Sequence, residues 1–591
     1  MNRRDFIGRV AALPLAAKAF AEQQKAKRTD SDSPSSSKAE QTTPLNAPTS
    51  QPHLDRYHLT RNRVLKGSGP AYTQEFLLED IHATKGRRFT NFSGDVSGRW
   101  IGALAASSAG FGDKFPALDD VVRQVAQLQQ ADGYFGKGFH YDHPDDDDLA
   151  LLWGNGRLLV GLMEYHALKP DPEILSHARR LGDFLLRLEP RFNSQQMADE
   201  FGAAHFASSY ICWTQQTEGL AALYRATQDT RYRDLCAEIS QRIERRPADH
   251  VHGYLCSVRG TLDLYQATKD RAYLDRAVAA WNDVMQSGDV LITGGVPEAW
   301  SPNKRRTEGC AECDWLRLNL ALYRTTGEMK YLDMAENIYF NEFSMNQFAT
   351  GDFGHGVLNA EGTPGIVPVR AWWCCTLHGL RAFADVQDSV FRSAGSQIYY
   401  DLPIDGYLRR SDCQVRASSR LATHGSIEIH VVEAHGVQSL TVRKPSWART
   451  VDLTKNGRSV PGLRVDSVRT GDRIEAKYTM SLRRERAGED ARLAKRSALH
   501  FGPWLLGSSS NGNPGYFNEL HSENQLMLRS ARRFDRKGAS AFDVPVALTT
   551  IAYLPAEFPD QPARAQLCAV GEQTASEPGQ WQTAFLIQSE S

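Results

Sequence analysis

The chain has 591 residues, of which 41% are hydrophobic and 24% charged, and its formal net charge is −1. This composition is typical of a large folded protein of several domains and excludes a chain that is disordered throughout. The nearly neutral charge balance gives no indication of a nucleic acid or a charged membrane surface as a partner.

The first 52 residues predict export followed by a tether. Residues 1–21 combine Arg3-Arg4, an apolar alanine-rich stretch and Ala19-Phe20-Ala21, the order of a twin-arginine signal peptide with its cleavage site. Residues 22–52 are rich in Gln, Lys, Ser, Thr and Pro and predict a disordered linker. No later stretch approaches the roughly 18 apolar residues of a membrane span. We therefore expect a periplasmic or secreted protein without a membrane span.

Apolar residues in the segment 53–395 mostly follow helical spacing. A motif bounded by two tyrosines recurs at Tyr224, Tyr265 and Tyr323, with a looser copy at Tyr165. Each copy predicts a helix, a short turn and a second helix that starts at the second tyrosine. Repeated helical hairpins form either an open solenoid or a closed ring, and irregular intervals with long inserted loops favour a closed (α/α) barrel.

After residue 395 the apolar period changes to two, which indicates strands. Ile427–Val431 and Ile474–Met480 alternate, and Asn456-Gly457 is a hairpin turn signal. Residues 396–515 therefore predict a β-sandwich domain. Residues 516–591 are less regular and predict a small C-terminal β region, which forms a second module or joins the first. The fold class expected is mainly α with β.

Two adjacent cysteines, Cys374 and Cys375, are the most informative chemical feature. Upstream of them lies the triplet Glu308-Gly309-Cys310. Three thiols and one carboxylate make a tetrahedral ligand set for a borderline-soft cation, above all Zn²⁺. The chain has nine cysteines, an odd number that argues against a scaffold of disulfides.

Two alternatives stay open for these cysteines. Buried free cysteines commonly pack as small hydrophobic side chains. In addition, Cys310-Ala-Glu-Cys313 is a C-x-x-C motif, which together with Cys374 and Cys375 can form a closed Cys₄ structural zinc site.

A second acid, Glu298, precedes Glu308 in the segment Ile292–Trp300. A metal-held thiolate with a carboxyl group nearby is a nucleophile with a proton donor. Taken alone, Glu298 fits a solvated loop acid better.

These motifs together resemble glycoside hydrolase family 127, whose best-known members are β-L-arabinofuranosidases. The resemblance rests on Ile292-Thr-Gly-Gly, Glu298-Ala, Glu308-x-Cys310 and Cys374-Cys375. It extends from about residue 85 to 510 and includes Asp132-Gly-Tyr-Phe-Gly136, Lys444-Pro-Ser-Trp447 and Gly502-Pro-Trp504.

The resemblance implies a fold, a cofactor and a mechanism. The implied fold is an (α/α)₆ barrel followed by β-sandwich modules. The implied cofactor is Zn²⁺, held by Glu308, Cys310, Cys374 and Cys375. The implied mechanism retains anomeric configuration, with Cys374 as nucleophile and Glu298 as general acid/base.

The sugar-contacting residues depart from the family pattern. Where the family carries His-Ala-Val-Arg, this chain has Cys256-Ser-Val-Arg259, with His252 one turn earlier, and the family's Gly-His-Leu reads Gly156-Arg157-Leu158. We infer similar chemistry on a different sugar. Arg157 and Arg259 can clamp the carboxylate of an acidic sugar, or each makes a structural salt bridge.

The remaining candidate sugar-binding residues are His355 and His378. The expected function is an exported, zinc-dependent retaining glycoside hydrolase. Its expected substrate is an oligosaccharide or glycan of plant, pectin-like origin that carries a β-L-arabinofuranoside or a related rare sugar. One alternative is a polysaccharide lyase or hydrolase with only structural zinc. Another is a non-catalytic carbohydrate-binding protein on the same scaffold.

Overall fold

The computed structural model describes twelve stretches of the chain. They are residues 52–66, 72–82, 91–202, 209–300, 306–359, 363–488, 491, 493–510, 525–533, 547–553, 563–572 and 579–587. The predicted signal peptide and residues 22–51 of the predicted linker lie outside them. Within the described residues, no helix is long and apolar enough to cross a membrane.

Helices dominate the described chain up to residue 390. Their bounds are α1 Pro52–Leu65, α2 Gln74–Glu79, α3 Asp95–Phe111, α4 Pro116–Gln127, α5 Asp146–Leu168, α6 Pro172–Phe192, α7 Gln195–Glu200, α8 Ile211–Thr214, α9 Thr217–Thr227, α10 Thr230–Ser240, α11 Val251–Thr268, α12 Arg271–Gln286, α13 Gly309–Thr326, α14 Met329–Ile338, a π-helix Tyr339–Phe343, α15 Ser344–Asn346, α16 Trp373–Val390 and α17 Leu421–His424.

Six of these helices form the inner wall of a closed barrel. In ring order they are α3, α5, α9, α11, α13 and α16; each packs against the next, and α16 packs back against α3. One outer helix lies against each of them, namely α4, α6, α10, α12, α14 and, against α16, α1. The expected (α/α)₆ barrel is confirmed.

The repeated tyrosine motif lies at helix junctions, as predicted. At Gln228, Lys269 and Gly327 the backbone enters the left-handed region, with φ of 57°, 63° and 74°, and this ends α9, α11 and α13. The next helix begins two residues before the second tyrosine rather than at it. For α10 and α12 the reason is an aspartate, Asp229 or Asp270, whose side chain caps the first turn.

Strands follow the helices and also interrupt them. Their bounds are β1 Arg306–Glu308, β2 Gly354–Leu358, β3 Pro364–Ala371, β4 Phe391–Ala394, β5 Gln397–Tyr400, β6 Gly406–Arg410, β7 Cys413–Arg420, β8 Ser426–Ala434, β9 Ser439–Val442, β10 Val451–Lys455, β11 Arg458–Val460, β12 Arg464–Asp466, β13 Arg473–Tyr478, β14 Leu482–Arg486, β15 Ser497–Phe501, β16 Trp504–Ser509, β17 Gln525–Arg533, β18 Ala547–Tyr553, β19 Ala563–Ala569, β20 Gly579–Gln582 and β21 Leu586–Ile587.

Strands β4 to β13 form two sheets, ordered β11-β10-β13-β8-β7-β6 and β12-β9-β5-β4. Asn456 and Gly457, both with positive φ, make the predicted turn between β10 and β11. A third sheet, ordered β1-β2-β3-β20-β16-β19-β18-β17-β21 with β14 and β15 beside β16, joins distant parts of the chain. Its C-terminal strands pair with β16 and with β3, a strand that lies between barrel helices.

A layer of ion pairs crosses the interior of the barrel. Five arginines and five carboxylates from the inner helices pair with one another, so their charges balance. They are Arg99, Arg157, Arg259, Arg317 and Arg381 with Asp95, Glu164, Glu218, Asp314 and Asp385. Because an unpaired buried charge is costly, this pairing is a condition for closing the barrel around polar side chains.

Glu218 is the centre of this layer. Its carboxylate accepts hydrogen bonds from Arg157 Nη1 at 3.1 Å, Arg259 Nη2 at 2.8 Å and Arg381 Nη2 at 3.2 Å. Burial opposes ionisation, but the cations of Arg259, Arg157 and Arg317 outweigh it and hold the pKa of Glu218 below its ordinary value.

We expect Glu218→Gln to lower the free energy of unfolding by about 3–5 kcal/mol, because it leaves buried guanidinium groups without their shared anion. The measurement is urea unfolding at neutral pH. The lowered pKa also means that this stabilisation is present above the ordinary glutamate pKa and is lost as pH falls through the folded-state value. The variant should therefore lose stability less steeply than the wild type between about pH 5 and pH 3.

The matched control is Glu428→Gln, which removes an exposed glutamate 3.4 Å from Arg473. It should cost less than about 1 kcal/mol. Equal effects of the two substitutions would contradict the structural importance of Glu218.

Candidate metal centre and active site

The starts of two neighbouring inner helices bring the four predicted metal ligands together. Glu308 ends β1 directly before α13, Cys310 lies in the first turn of α13, and Cys374 and Cys375 lie in the first turn of α16. One potential ligand atom from each of the four lies within 4.8 Å of the others. The Cys375 sulfur is 3.7 Å from the Cys310 sulfur and 3.8 Å from Glu308 Oε1. This buried group can hold a metal ion.

Close approach of the two helix starts depends on a glycine. A Cβ atom added at Gly309 would lie 2.9 Å from the Cβ of Cys375 and 3.2 Å from the Cβ of Phe353. The helix N-termini also favour anions, because their backbone N–H groups carry partial positive charge. The local fold therefore suits thiolates and a carboxylate.

The three thiols are not equivalent. Burial opposes ionisation of Cys374, but hydrogen bonds with Cys310 and Cys375 and the nearby cation of Arg99 lower the pKa of the Cys374 thiol to about 6. Burial raises the pKa of Cys310 and of Cys375, and the neighbouring thiols add to the rise at Cys310. One sulfur thus ionises readily, and full deprotonation of the set calls for a bound cation.

Cys313 does not join this group. Among the described residues, it belongs to no set of three or more side chains whose potential ligand atoms converge, although it is buried in the same helix as Cys310. The arrangement observed is three cysteines with Glu308.

Glu298 lies beside this ligand set in a loop that is bonded to the neighbouring strand. Its backbone N–H donates to the carbonyl of Arg306 at 3.1 Å. Its carboxylate pairs with the Arg306 guanidinium and lies 3.6 Å from His355 Nε2. Carboxylate oxygens of Glu298 and Glu308 and a ring nitrogen of His250 all lie within 4.8 Å of one another. The candidate acid Glu298 therefore lies next to Glu308, one of the four potential metal ligands.

Two histidines flank the carboxylates. His250 Nε2 lies 3.2 Å from Glu308 Oε2; burial opposes ionisation of Glu308, but the nearby His250 holds the pKa of Glu308 well below its usual range. His355 lies opposite Glu308 in the β1–β2 pairing. Burial, assisted by the Arg306 cation, lowers the pKa of His355 to about 4, so this imidazole is neutral near pH 7.

His252, a predicted sugar ligand, is held within the protein. Its Nδ1 faces Asp314, and its Nε2 lies 2.9 Å from Arg99 Nη2. Because a guanidinium only donates, Nε2 accepts and the ring proton resides on Nδ1. Burial, assisted by the Arg99 cation, lowers the pKa of His252 to about 4.

The two predicted sugar-binding arginines lie in the barrel's ion-pair layer. Arg157 contacts Glu218 and, at 3.0 Å, the sulfur of Cys256. Arg259 pairs with Glu218 and, at 2.8 Å, with Asp314. These carboxylates neutralise both arginines without a bound ligand. The two arginines thus make the salt bridges that the sequence left open as an alternative to sugar binding. An acidic-sugar clamp formed by them stays a prediction.

His378 differs from these residues. It lies one turn after Cys374, is buried, and packs its ring 4.6 Å from the ring of His252. Neither of its ring nitrogens has a hydrogen-bond partner among the described residues. Both nitrogens therefore retain the capacity to bind a polar group.

An aromatic face lies next to the thiols along the chain. The rings of Trp372 and Trp373 stack with centroids 4.9 Å apart, and the guanidinium of Arg370 lies 4.5 Å from the centroid of Trp372. Both tryptophans are half-buried, and Arg370 is exposed. Half-buried indole faces provide the apolar part of a ligand site.

Four site residues were not indicated by the sequence: Arg99, His250, Arg306 and Asp314. Most of their contacts join segments far apart in the chain, so local spacing carries little signal for them. His250 and Arg306 each lie two positions before a predicted residue, His252 and Glu308.

Comparison with known proteins places this site in a family. The family described as "Beta-L-arabinofuranosidase, GH127 catalytic domain" matches residues 59–388, more than half of the chain. No curated relative matches the sequence.

Similar solved structures include a GH127 β-arabinofuranosidase, at a TM-score of 0.70 and 18% identity over 91% of this chain and 96% of that chain. A GH127 β-L-arabinofuranosidase from Geobacillus stearothermophilus T6 gives a TM-score of 0.66 and 17% identity over 92% of this chain and 100% of that chain. At these identities the likeness shows a shared fold, and the family match over the barrel shows the relationship. The chain is a glycoside hydrolase and belongs to glycoside hydrolase family 127.

Proposed function

We propose that this protein is a zinc-dependent retaining glycoside hydrolase in which Cys374 is the nucleophile and Glu298 the general acid/base. The observation that carries the proposal is the convergence of Cys374 with Glu308, Cys310 and Cys375, whose ligand atoms lie within 4.8 Å of one another. Glu298 adjoins the same group through Glu308. Through Glu308, the proposed proton donor thus lies next to the group that contains the proposed nucleophile.

The donor atoms favour zinc. Sulfur ligands select zinc over Mg²⁺ or Ca²⁺, which prefer oxygen, and three thiolates with one carboxylate satisfy a tetrahedral ion. Glu308, Cys310, Cys374 and Cys375 would hold it. Bound zinc would keep these sulfurs deprotonated at neutral pH.

The proposed reaction uses these two side chains in turn. The Cys374 sulfur attacks the anomeric carbon, the glycosidic C–O bond breaks, and Glu298 gives its proton to the leaving oxygen. The Glu298 carboxylate then takes a proton from water, the water oxygen attacks the same carbon, and the carbon–sulfur bond breaks. Two inversions at one carbon retain its configuration.

The acid step requires that Glu298 separates from Arg306. The Arg306 side chain is 48% exposed, which gives it room to turn toward solvent when a sugar enters. Arg306 would then move away from Glu298 when the substrate binds. After turnover it would pair again with the carboxylate form of Glu298.

The substrate proposed is a β-L-arabinofuranoside or a related rare sugar of plant, pectin-like glycans. The family description and the names of the similar enzymes support the furanoside. His355 and His378 are the proposed hydroxyl ligands: His355 Nε2 lies 3.6 Å from Glu298, and both ring nitrogens of His378, one turn after Cys374, lack a hydrogen-bond partner among the described residues. Residues 1–21 support export to the periplasm or beyond.

We expect the purified protein to hold about one zinc per chain. Cys310→Ser should lose most of it, because the substitution removes a thiolate ligand, and elemental analysis after dialysis measures the loss. Cys313→Ser is the matched control, a neighbouring buried cysteine of the same helix, and should retain the metal. Zinc loss in the Cys313 variant as well would instead support a Cys₄ site, which contains both cysteines.

We expect Cys374→Ala to abolish turnover of an aryl β-L-arabinofuranoside and Glu298→Gln to reduce kcat by about 10²–10⁴-fold. A haloacetamide sugar should label the wild type once, at Cys374, as seen by peptide mass analysis. Cys413→Ser, which alters a buried cysteine of β7, should keep full activity.

Three other results would contradict the proposed function. Full activity in the Cys374 variant would remove the nucleophile from the proposal. An unsaturated uronate product from pectin fragments would indicate a lyase, and tight sugar binding without turnover across a glycoside panel would indicate a binding protein.

A further inference from the structure

We propose that Arg99 is a positioning residue of the metal site, which holds the Cys310 sulfur in place and offsets the negative charge of the ligand set. The inference rests on the proposed zinc site and concerns how this chain stabilises it.

The three arms of the Arg99 guanidinium reach three different groups. Its Nε donates to Asp95 Oδ1 at 2.8 Å, its Nη2 lies 2.9 Å from His252 Nε2, and its Nη1 lies 3.8 Å from the Cys310 sulfur. Arg99 lies one turn after the start of α3, whereas His252 and Cys310 are in the first turns of α11 and α13. The side chain therefore joins three inner helices.

Two of the groups that Arg99 contacts are held in place by further hydrogen bonds. Asp95 also accepts a hydrogen bond from Trp153 Nε1 at 3.0 Å, and His252 is bound through Nδ1 to the buried Asp314. With Nε and Nη2 fixed, the planar geometry of the guanidinium sets the direction of Nη1 toward sulfur. The side chain of Arg99 is 4% exposed, so water competes little for these bonds.

The contact between Arg99 and Cys310 is important because the ligand set carries negative charge. Three thiolates and one carboxylate around a divalent ion leave a net charge of −2 in a buried place. An uncompensated charge of this kind is expensive away from water. Among the described residues, Arg99 is the cationic side chain with a hydrogen bond to a sulfur of the group.

The same geometry argues against a second metal nearby. His252, Asp314 and His378 also place potential ligand atoms within 4.8 Å of one another. The guanidinium of Arg99 contacts His252, and that of Arg259 contacts Asp314, so a cation there would face two fixed positive charges. This histidine and aspartate instead orient Arg99.

The test compares Arg99→Met with Arg317→Met in protein loaded with Co²⁺ in place of zinc. Arg317 is a matched control because it is also 4% exposed and bonded to aspartates of the inner helices. Metal retention is measured by competition with a chromophoric chelator, and the sulfur-to-cobalt charge-transfer band by absorption. Thermal unfolding records the general loss of stability in each variant.

We expect Arg99→Met to weaken metal retention by about 10–100-fold. Its charge-transfer band should move to lower energy, because loss of the hydrogen bond and positive charge raises the energy of the sulfur electrons. Arg317→Met should lower the unfolding temperature and leave band position and metal affinity at wild-type values.

Arg99→Lys serves if the methionine variant does not fold. A single ammonium cannot reach all three partners, so the same changes are expected, to a smaller extent. Wild-type retention and band position in the folded Arg99 variant would overturn the inference. A wild-type protein that binds neither zinc nor cobalt would instead overturn the proposed zinc site itself.

Discussion

The packing of α13 against α16 is the contact on which the site depends. The two helices start next to each other, and the residues that face across their first turns are 65 positions apart in the chain. Closure of the ring through α16 and α3 fixes their relative position. The sulfur separations thus depend on the closure of the ring as well as on the two helices that carry the ligands.

Ion pairs lie in the interior of the barrel. The layer contains as many arginines as carboxylates; most pairs join different helices, and two, Arg99–Asp95 and Arg317–Asp314, lie within one helix. Such pairs add little net stability over an apolar core, but they impose geometry, because each guanidinium has fixed donor directions. The metal site lies where this layer meets the helix starts, and Arg99 belongs to both.

Much of the fold follows from local patterns in the sequence. Helical spacing, the tyrosine motif and the two-residue period of the later strands are short-range signals, and the ring and sheets agree with them. The third sheet is different, because β1, β2 and β3 lie inside the helical region and β3 pairs with β20, a strand about two hundred residues later. No local pattern encodes that partnership.

The site residues likewise divide into those that local motifs predict and those that depend on contacts between distant segments. The ligands Glu308, Cys310, Cys374 and Cys375 stand in compact motifs, which is why their convergence could be expected from the sequence. The surroundings could not, since the partners of a buried arginine depend on which helices become neighbours. Arg157 is an example: its sequence context leaves a sugar contact and a structural salt bridge open, and its partners, a carboxylate and a sulfur of other helices, could not be named from the sequence.

The pairing of β20 with β3 has a consequence for biosynthesis. Gly579 and Gln580 lie opposite Val367 and Ile366, on the strand that leads into the two tryptophans and the thiols. That strand cannot gain this neighbour until the ribosome has translated almost all of the chain. A nascent chain that stops before residue 579 would therefore carry β3, which leads into the thiols, without this neighbouring strand.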